Sequence, residues 1–325
     1  MIKGTAKTEQ EYRAIKMDSS SSLKEFAKDR RKYYKRYVLG EKEEDDETKA
    51  ATMGRLVETK LMEPELFDER FFPSVCQSVP TGMMLDFVEA LYKYTKEATG
   101  SDGVVTRSFE DISQDAYRDS GYKIAYDRVI KNFIGSDAEI YYEEIREVRS
   151  KGLTVVSIQD VSNSEKIVEQ LRNDPFVGPI VNITSSARYD VYNQFQVEGV
   201  EYNGLLLKGM FDKVIVDHQE QVIQIYDLKC TWAVENFYKE YYLYRRGDIQ
   251  AGVYLHLANH MFADLVEDGY IVAPPAFIVC DSMGYHSPLV YTLTYDDIDE
   301  AFDGYEYRGL KYVDRKSTRL NSSHT

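Results

Sequence analysis

The chain has 325 residues, is 43% hydrophobic and 29% charged, and carries a formal net charge of −15. This is the composition of a globular chain large enough for one big domain or two small ones, and no apolar run approaches the roughly 20 residues of a membrane span. The acidic balance excludes an all-over electrostatic DNA binder but leaves room for a local basic patch.

The opening residues, MIKGTAKTEQEY, lack the apolar core of a secretion signal. Cys76, Cys230 and Cys280 are far apart in sequence. They read as reduced thiols, not as a disulfide frame or zinc site, and fall one short of the usual four-cysteine iron–sulfur set. A cytoplasmic location follows. The 27 tyrosines suit base stacking, although core packing is their default.

In chain order, SSSSLKEFAKDRRKYYKRYV predicts a helix. Ser22 and Glu25 have capping-box spacing. Leu23, Phe26, Ala27, Tyr34 and Val38 form an approximate apolar stripe, with Lys24, Lys28, Arg31, Lys32 and Lys35 opposite. GEKEEDDETK reads as an acidic loop. AATMGRLVETKLMEPELF resumes a helix, with Met53, Leu56, Val57 and Leu61 on one side and Pro64 as its limit. From about Ser74 to Gln170 the pattern is mostly helical: GMMLDFVEALYKYTKEA, SQDAYRDSGYKIAYDRVIKNF and AEIYYEEIREVRSKG, then SNSEKIVEQLRNDPF, stopped by Pro175.

From Tyr189 the period becomes two. YDVYNQFQVEG, LLLKGMFDKVIVD and QVIQIYDLKCT are strands, with VEYN and DHQE as turns. DIQAGVYLHLANHMFADLVEDG is a long helix with Asp248 as N-cap. AFIVCDS and PLVYTLTY are further strands, and DDIDEAFDGYEYRG is a last helix. The order implies a mixed α/β core with a large helical insertion. DRKSTRLNSSH, Asp314 to His324, resembles a translated sequencing adapter, so 314–325 is expected to be a non-native tail, with a native, disordered polar terminus as the alternative.

Three charges interrupt the strands: Asp212, Asp227 and Lys229. Strand residues two apart share a face, so Asp227 and Lys229 point the same way. An even-length hairpin loop brings Asp212 to that face. A two-residue loop pairs it with Ile225 and a four-residue loop with Asp227, while an odd loop spoils the arrangement. Converging carboxylates need a compensating positive charge. Lys229 is one candidate, and Mg²⁺ or Mn²⁺, which suit oxygen ligands, is another. Such a site suits phosphodiester hydrolysis, with the lysine orienting water or pairing with the scissile phosphate. A solvated strand face with a surface ion pair is the plainer alternative.

Residues 205–231 resemble the PD-(D/E)XK nuclease core: Asp at the end of one strand, a hairpin, then D-x-K, here YDLKCT. RRGDIQAGVYLHLA contains Gln250 and Tyr254, similar to the Q-x-x-x-Y element of the branch that includes exodeoxyribonuclease VIII (RecE), RecB and Cas4 nucleases. Their i, i+4 spacing shares a helix face, and the resemblance implies contact with DNA. TKAATMGRLVETKLMEPELFDERF and SSSSLKEFAKDRRKYY resemble the corresponding segments of exodeoxyribonuclease VIII-like phage exonucleases. The family histidine after G-R-L-V is Glu58 here.

The resemblance implies a restriction-endonuclease-like fold with a central mixed sheet flanked by helices. It implies one domain over 1–313, with the helical insertion at about 74–170 and the catalytic core at about 189–295. Asp212, Asp227 and Lys229 are its catalytic residues. Glu58, Asp212, Asp227 and the Leu228 carbonyl are its expected metal ligands, for Mg²⁺ or Mn²⁺. Gln250, Tyr254, Arg55, Lys28, Arg31, Lys32 and Lys35 are its DNA-contact candidates.

The implied activity is a metal-dependent exonuclease on linear duplex DNA, 5′ to 3′, in phage-type recombination in a bacterial host cell. A single-strand annealing protein is the implied partner, and a homo-oligomer the implied state. A Cas4- or RecB-like nuclease on single-stranded ends and a catalytically silent DNA-end-binding module are the alternatives. HLANH places His256 and His260 four apart, but without the Glu of H-E-x-x-H they read as helix packing. No phosphate-binding G-x-x-x-x-G-K-[ST] occurs.

Overall fold

The computed structural model describes residues 9–41, 48–76, 78–101, 103–303, 305–307 and 310–312. Residues 42–47 of the expected acidic loop, and the tail 314–325, lie outside the described residues. The chain divides into two compact units, one of Met1–Glu63 and Lys166–Thr325, the other of Pro64–Glu165.

The larger unit is a mixed sheet with helices on both faces. Its principal helices are α1 (Ser20–Lys28), α2 (Lys49–Met62) and α3 (Gly247–Met261). The strands of its main sheet are β1 (Tyr189–Tyr202), β2 (Leu205–Asp217), β3 (Val222–Thr231), β4 (Ile271–Val272), β5 (Ala276–Asp281) and β6 (Leu289–Tyr291). The order is β1-β2-β3-β5-β6, with β4 also beside β3. β1, β2 and β3 are antiparallel in turn, β3 and β5 parallel, and β5 and β6 antiparallel. A parallel pair requires a crossover, and α3 lies within the one joining β3 to β5. This agrees with the expected restriction-endonuclease-like core.

Two turns set the register. Asn203 and Gly204 both have positive φ, 49° and 82°. That matches the primed two-residue turns that follow the twist of paired strands. The turn expected at VEYN is therefore shorter, and Val200 to Tyr202 stay in β1. At the second hairpin Asp217 pairs with Val222, leaving His218 to Gln221 as the loop. Asp217 Oδ1 accepts the amides of Gln219 at 2.9 Å and Glu220 at 3.1 Å, and Arg188 forks onto both of its oxygens. A short acceptor at a loop start fixes such a turn. The loop length is even, and the register brings Asp212 level with Asp227.

Phe195, Phe211, Val214, Ile223 and Ile225 pack under α1 and α3, against Leu23, Val253 and Leu257. On the other face Met53, Val57 and Leu61 of α2 meet Leu228, Ile278 and the buried Ile167, Val168 and Leu171. Phe211 and Val214 are three apart yet share a core, so β2 loses its two-residue alternation at Asp212 and Lys213.

Several local expectations are corrected. The N-terminal helix stops at Lys28, and its N-cap is Ser19, which exchanges hydrogen bonds with Ser22. Asp29 then caps a new short helix through the amides of Arg31 and Lys32. Tyr34 and Val38 are consequently exposed rather than part of an apolar stripe. α3 starts from Arg246 in a left-handed conformation, and Asp248 pairs with that arginine instead of capping. It stops at Met261, and a separate helix runs Ala263–Glu267.

The smaller unit is mostly helical, with helices Met83–Glu97, Phe109–Asp119, Tyr126–Phe133 and Asp137–Val148 around Phe87, Leu91, Phe133 and Ile145. The stretch read as one helical segment, SQDAYRDSGYKIAYDRVIKNF, breaks near Gly121, whose φ is 70°. A two-stranded parallel sheet, Phe71–Ser74 with Thr154–Ser157, was not expected. Its two short strands lie far apart in sequence and carry little period-two signal.

Candidate active site

The charged positions of β2 and β3 meet at one place. The β2–β3 ladder ends at Lys213–Tyr226. Beyond it, the Asp212 carboxylate takes the place of a backbone acceptor: the Leu228 amide donates to Asp212 Oδ2 at 2.7 Å. Asp227 is only 1% exposed. Its Oδ2 forms an ion pair with Lys229 Nζ, and Lys229 Nζ also donates to the Leu228 carbonyl at 3.3 Å. Gln250 Nε2 donates to Asp227 Oδ1 at 2.6 Å. The Tyr254 hydroxyl donates to the Met210 carbonyl at 2.7 Å and lies 3.4 Å from Asp227 Oδ1.

The charges are unevenly balanced. Burial raises the Asp212 pKa well above the ordinary carboxylate value, and the Asp227 and Glu58 carboxylates push it further. Burial works against the Lys229 ammonium, but Asp227, Tyr241 and Asp212 together outweigh it and raise the lysine's pKa.

Glu58 is half-buried on α2, and its Oε1 accepts Gln194 Nε2 at 2.7 Å. Gln194 is on β1, between the pairs Asn193–Lys213 and Phe195–Phe211 that flank Asp212, and has a φ of 48°. A positive φ costs free energy in any residue but glycine, and such strain gathers at functional sites.

Among the described residues, no three His, Cys, Asp and Glu side chains group closely enough to hold a metal ion as they stand. The donor chemistry nonetheless fits a hard cation. Asp212, Asp227 and the Leu228 carbonyl offer only oxygens, and Mg²⁺ commonly takes one or two carboxylates and completes its shell with water. The excess negative charge that raises Asp212 is what such a cation would relieve.

The sequence reading of the other candidates is met unevenly. Gln250 and Tyr254 do share a helix face, but both are buried behind Asp227 instead of being presented to solvent. Arg55 sits on α2 one turn before Glu58, half-buried. Lys28, Arg31 and Lys35 are exposed and Lys32 half-buried. The break at Asp29 distributes them over three short segments instead of one helix face. His256 lies against Tyr202 and the Glu201 carbonyl, as packing requires.

Three residues escaped the sequence reading. Lys24, assigned to the basic face, turns inward: its Nζ donates to Gln250 Oε1 at 2.7 Å and to the Tyr241 hydroxyl at 3.3 Å. Burial, with the Lys229 ammonium, brings its pKa down to about 7. The Tyr241 hydroxyl donates to the same Gln250 oxygen at 2.5 Å. Its ring has the ammoniums of Lys24 and Lys229 at 5.0 and 5.4 Å from its centroid. Gln194 is the third. The local pattern does not separate Lys24 from Lys28, which lies four residues further along the same helix. Nothing local marks Tyr241 among its tyrosine neighbours.

No protein-family profile matches the chain. No curated protein matches it in sequence. Among solved structures it is similar to a crystal structure described as a "Putative exonuclease" from Eubacterium rectale, at 15% identity and a TM-score of 0.48, over 92% of this chain and 82% of that one.

Proposed function

We propose that the protein is a metal-dependent DNA exonuclease that hydrolyses phosphodiester bonds from the ends of linear duplex, 5′ to 3′, in phage-type recombination. The observation that carries this reading is the meeting of Asp212, Asp227 and Lys229 where the β2–β3 ladder ends. Asp212, Asp227 and the Leu228 carbonyl are the proposed ligands of Mg²⁺ or Mn²⁺, with Glu58 adding a fourth oxygen donor. When bound, such a cation activates water and neutralises charge developing on the phosphate. The Lys229 side chain is part-exposed beside its buried partner. There it can orient the attacking water or pair with the scissile phosphate. Gln250 and Tyr254 hold Asp227 from behind.

The surroundings support a nucleic-acid substrate. Trp232, three residues after Lys229, is 74% exposed, and Tyr244 is also exposed. Free aromatic faces stack on unpaired bases. Lys28, Arg31 and Lys35 offer exposed cations to phosphates. In this reading the enzyme works as a homo-oligomer in the cytoplasm of a bacterial host and passes the 3′ strand to an annealing protein.

The test compares 5′- and 3′-labelled linear duplex, closed circle and single strand, each with Mg²⁺, Mn²⁺ or EDTA. Early release of the 5′ label, an intact circle and no cleavage in EDTA are expected. Cleavage insensitive to EDTA, or none on any substrate, overturns the proposal. Preference for single strands favours the Cas4- or RecB-like alternative.

A further inference from the structure

We infer that Lys24 is a positioning residue of this site, acting on Asp227 through the Gln250 amide; the inference rests on the nuclease reading above. Lys24 Nζ and the Tyr241 hydroxyl both donate to Gln250 Oε1, at 2.7 and 2.5 Å. Gln250 Nε2 donates to Asp227 Oδ1 at 2.6 Å. A side-chain amide has one accepting end and one donating end. Turned over, Gln250 would press its NH₂ against two donors and its oxygen against a carboxylate. The observed orientation alone supplies a donor to Asp227.

Tyr241 cannot enforce this by itself. A hydroxyl donates or accepts as needed, so without Lys24 it can rotate and receive a proton from a flipped Gln250. An ammonium has donors only. In its charged form Lys24 therefore makes the orientation one-way. With Oδ1 held from behind, Oδ2 is left facing Lys229, where the proposed cation chemistry takes place. The chain of contacts joins α1 to α3 and β3 across 226 positions of sequence between Lys24 and Gln250. Partners outside the ligand set that orient metal-binding groups are commonly worth about 10- to 100-fold in affinity or activity.

The test uses the full chain and the variants Lys24→Met, Lys24→Arg and Gln250→Met, plus the double variant Lys24→Met/Gln250→Met. In metal-free protein, the side-chain amide resonances of Gln250, assigned by their loss in Gln250→Met, should carry one proton bonded to a carboxylate. Lys24→Met should abolish that signature, and Lys24→Arg should restore part of it. In the DNA assay Lys24→Met should lower kcat about 10- to 100-fold, with KM for DNA held. Mn²⁺ affinity, read by electron paramagnetic resonance, should fall in step.

Adding Lys24→Met to Gln250→Met should cost nothing more, because the first acts through the second. Unmoved amide resonances in Lys24→Met, additive losses in the double variant, or an effect on KM alone would each overturn the inference. If the resonances move as expected but the wild type neither cleaves DNA nor binds Mn²⁺, the positioning role stands and the nuclease reading fails.

Discussion

Gly209→Ala tests the packing that carries the site. A Cβ at position 209 of β2 would lie 2.4 Å from Leu257 Cδ1 on α3. Carbon contacts settle at about 3.5–4.0 Å, so something must yield by roughly 1 Å. Leu257 is fully buried against the sheet, so its methyl moves only by displacing neighbouring core side chains. Overpacking of this kind costs about 1–3 kcal/mol. Replacing glycine returns about 0.4–1 kcal/mol through the unfolded chain, so a net loss of roughly 1–2 kcal/mol is expected. Urea unfolding measures it.

The same push displaces the helix that carries Gln250 and Tyr254, so cleavage should weaken as well. Leu257→Ala alone should cost about 2–5 kcal/mol. The double variant should cost less than the sum, because the new Cβ enters the vacated space. A Gly209→Ala protein as stable as the wild type, or strict additivity in the double variant, would refute the argument.

Other outcomes follow from the site. Asp212→Asn and Asp227→Asn should each remove metal-supported cleavage in folded protein, as read on end-labelled duplex. Asp212→Asn should also stabilise the metal-free protein near pH 7: a carboxyl with a raised folded pKa costs nothing below its unfolded value of about 3.9 and increasingly more above it, so the gain should vanish in urea titrations below about pH 4. Lys229→Met should lower turnover far more than Mg²⁺ affinity, and Lys229→Arg should recover it only in part because guanidinium is larger and planar; lost affinity with normal turnover at saturating metal would contradict the role. Glu58→Gln should shift the Mg²⁺ titration of activity to higher metal and Glu58→His should retain part of the activity, whereas superimposable curves for Glu58→Ala and wild type would remove Glu58 from the ligand set. Arg188, with the turn amides of Glu220 and Gln219, holds the Asp217 pKa down to about 2, so its stabilisation is present above about pH 4 and lost as pH falls through about 2; Asp217→Asn should erase that acid-dependent component in pH-resolved thermal melts.

Most strands and helices and the three strand charges were legible in the sequence because each writes a local pattern. LLLKGMFDKVIVD reads as a strand, and its bounds match the structure, Leu205–Asp217, although the alternation slips at Asp212 and Lys213. The α2 residues Met53, Leu56, Val57 and Leu61 repeat at helical spacing and are all buried. Asp227 and Lys229 stand two apart on a strand, and period two places them together. Whether Asp212 joined them depended on a loop's parity, which only the Asp217 turn decided.

Other features left no local trace. Lys24 reads as one more cation on a basic helix, and the packing of α1 on α3 sends it inward instead. Gln250 and Tyr254 read as outward contacts, yet Asp227 draws their polar groups into the interior. The left-handed Gln194 and its hold on Glu58 depend on strand pairing across β1 and β2. Backbone periodicity is a local property, so the sequence was enough to place the main strands and helices and to set Asp227 and Lys229 on one face. The tertiary structure alone decided which polar group satisfies which other one, because a buried donor must find its acceptor among whatever packing brings near, irrespective of distance along the chain.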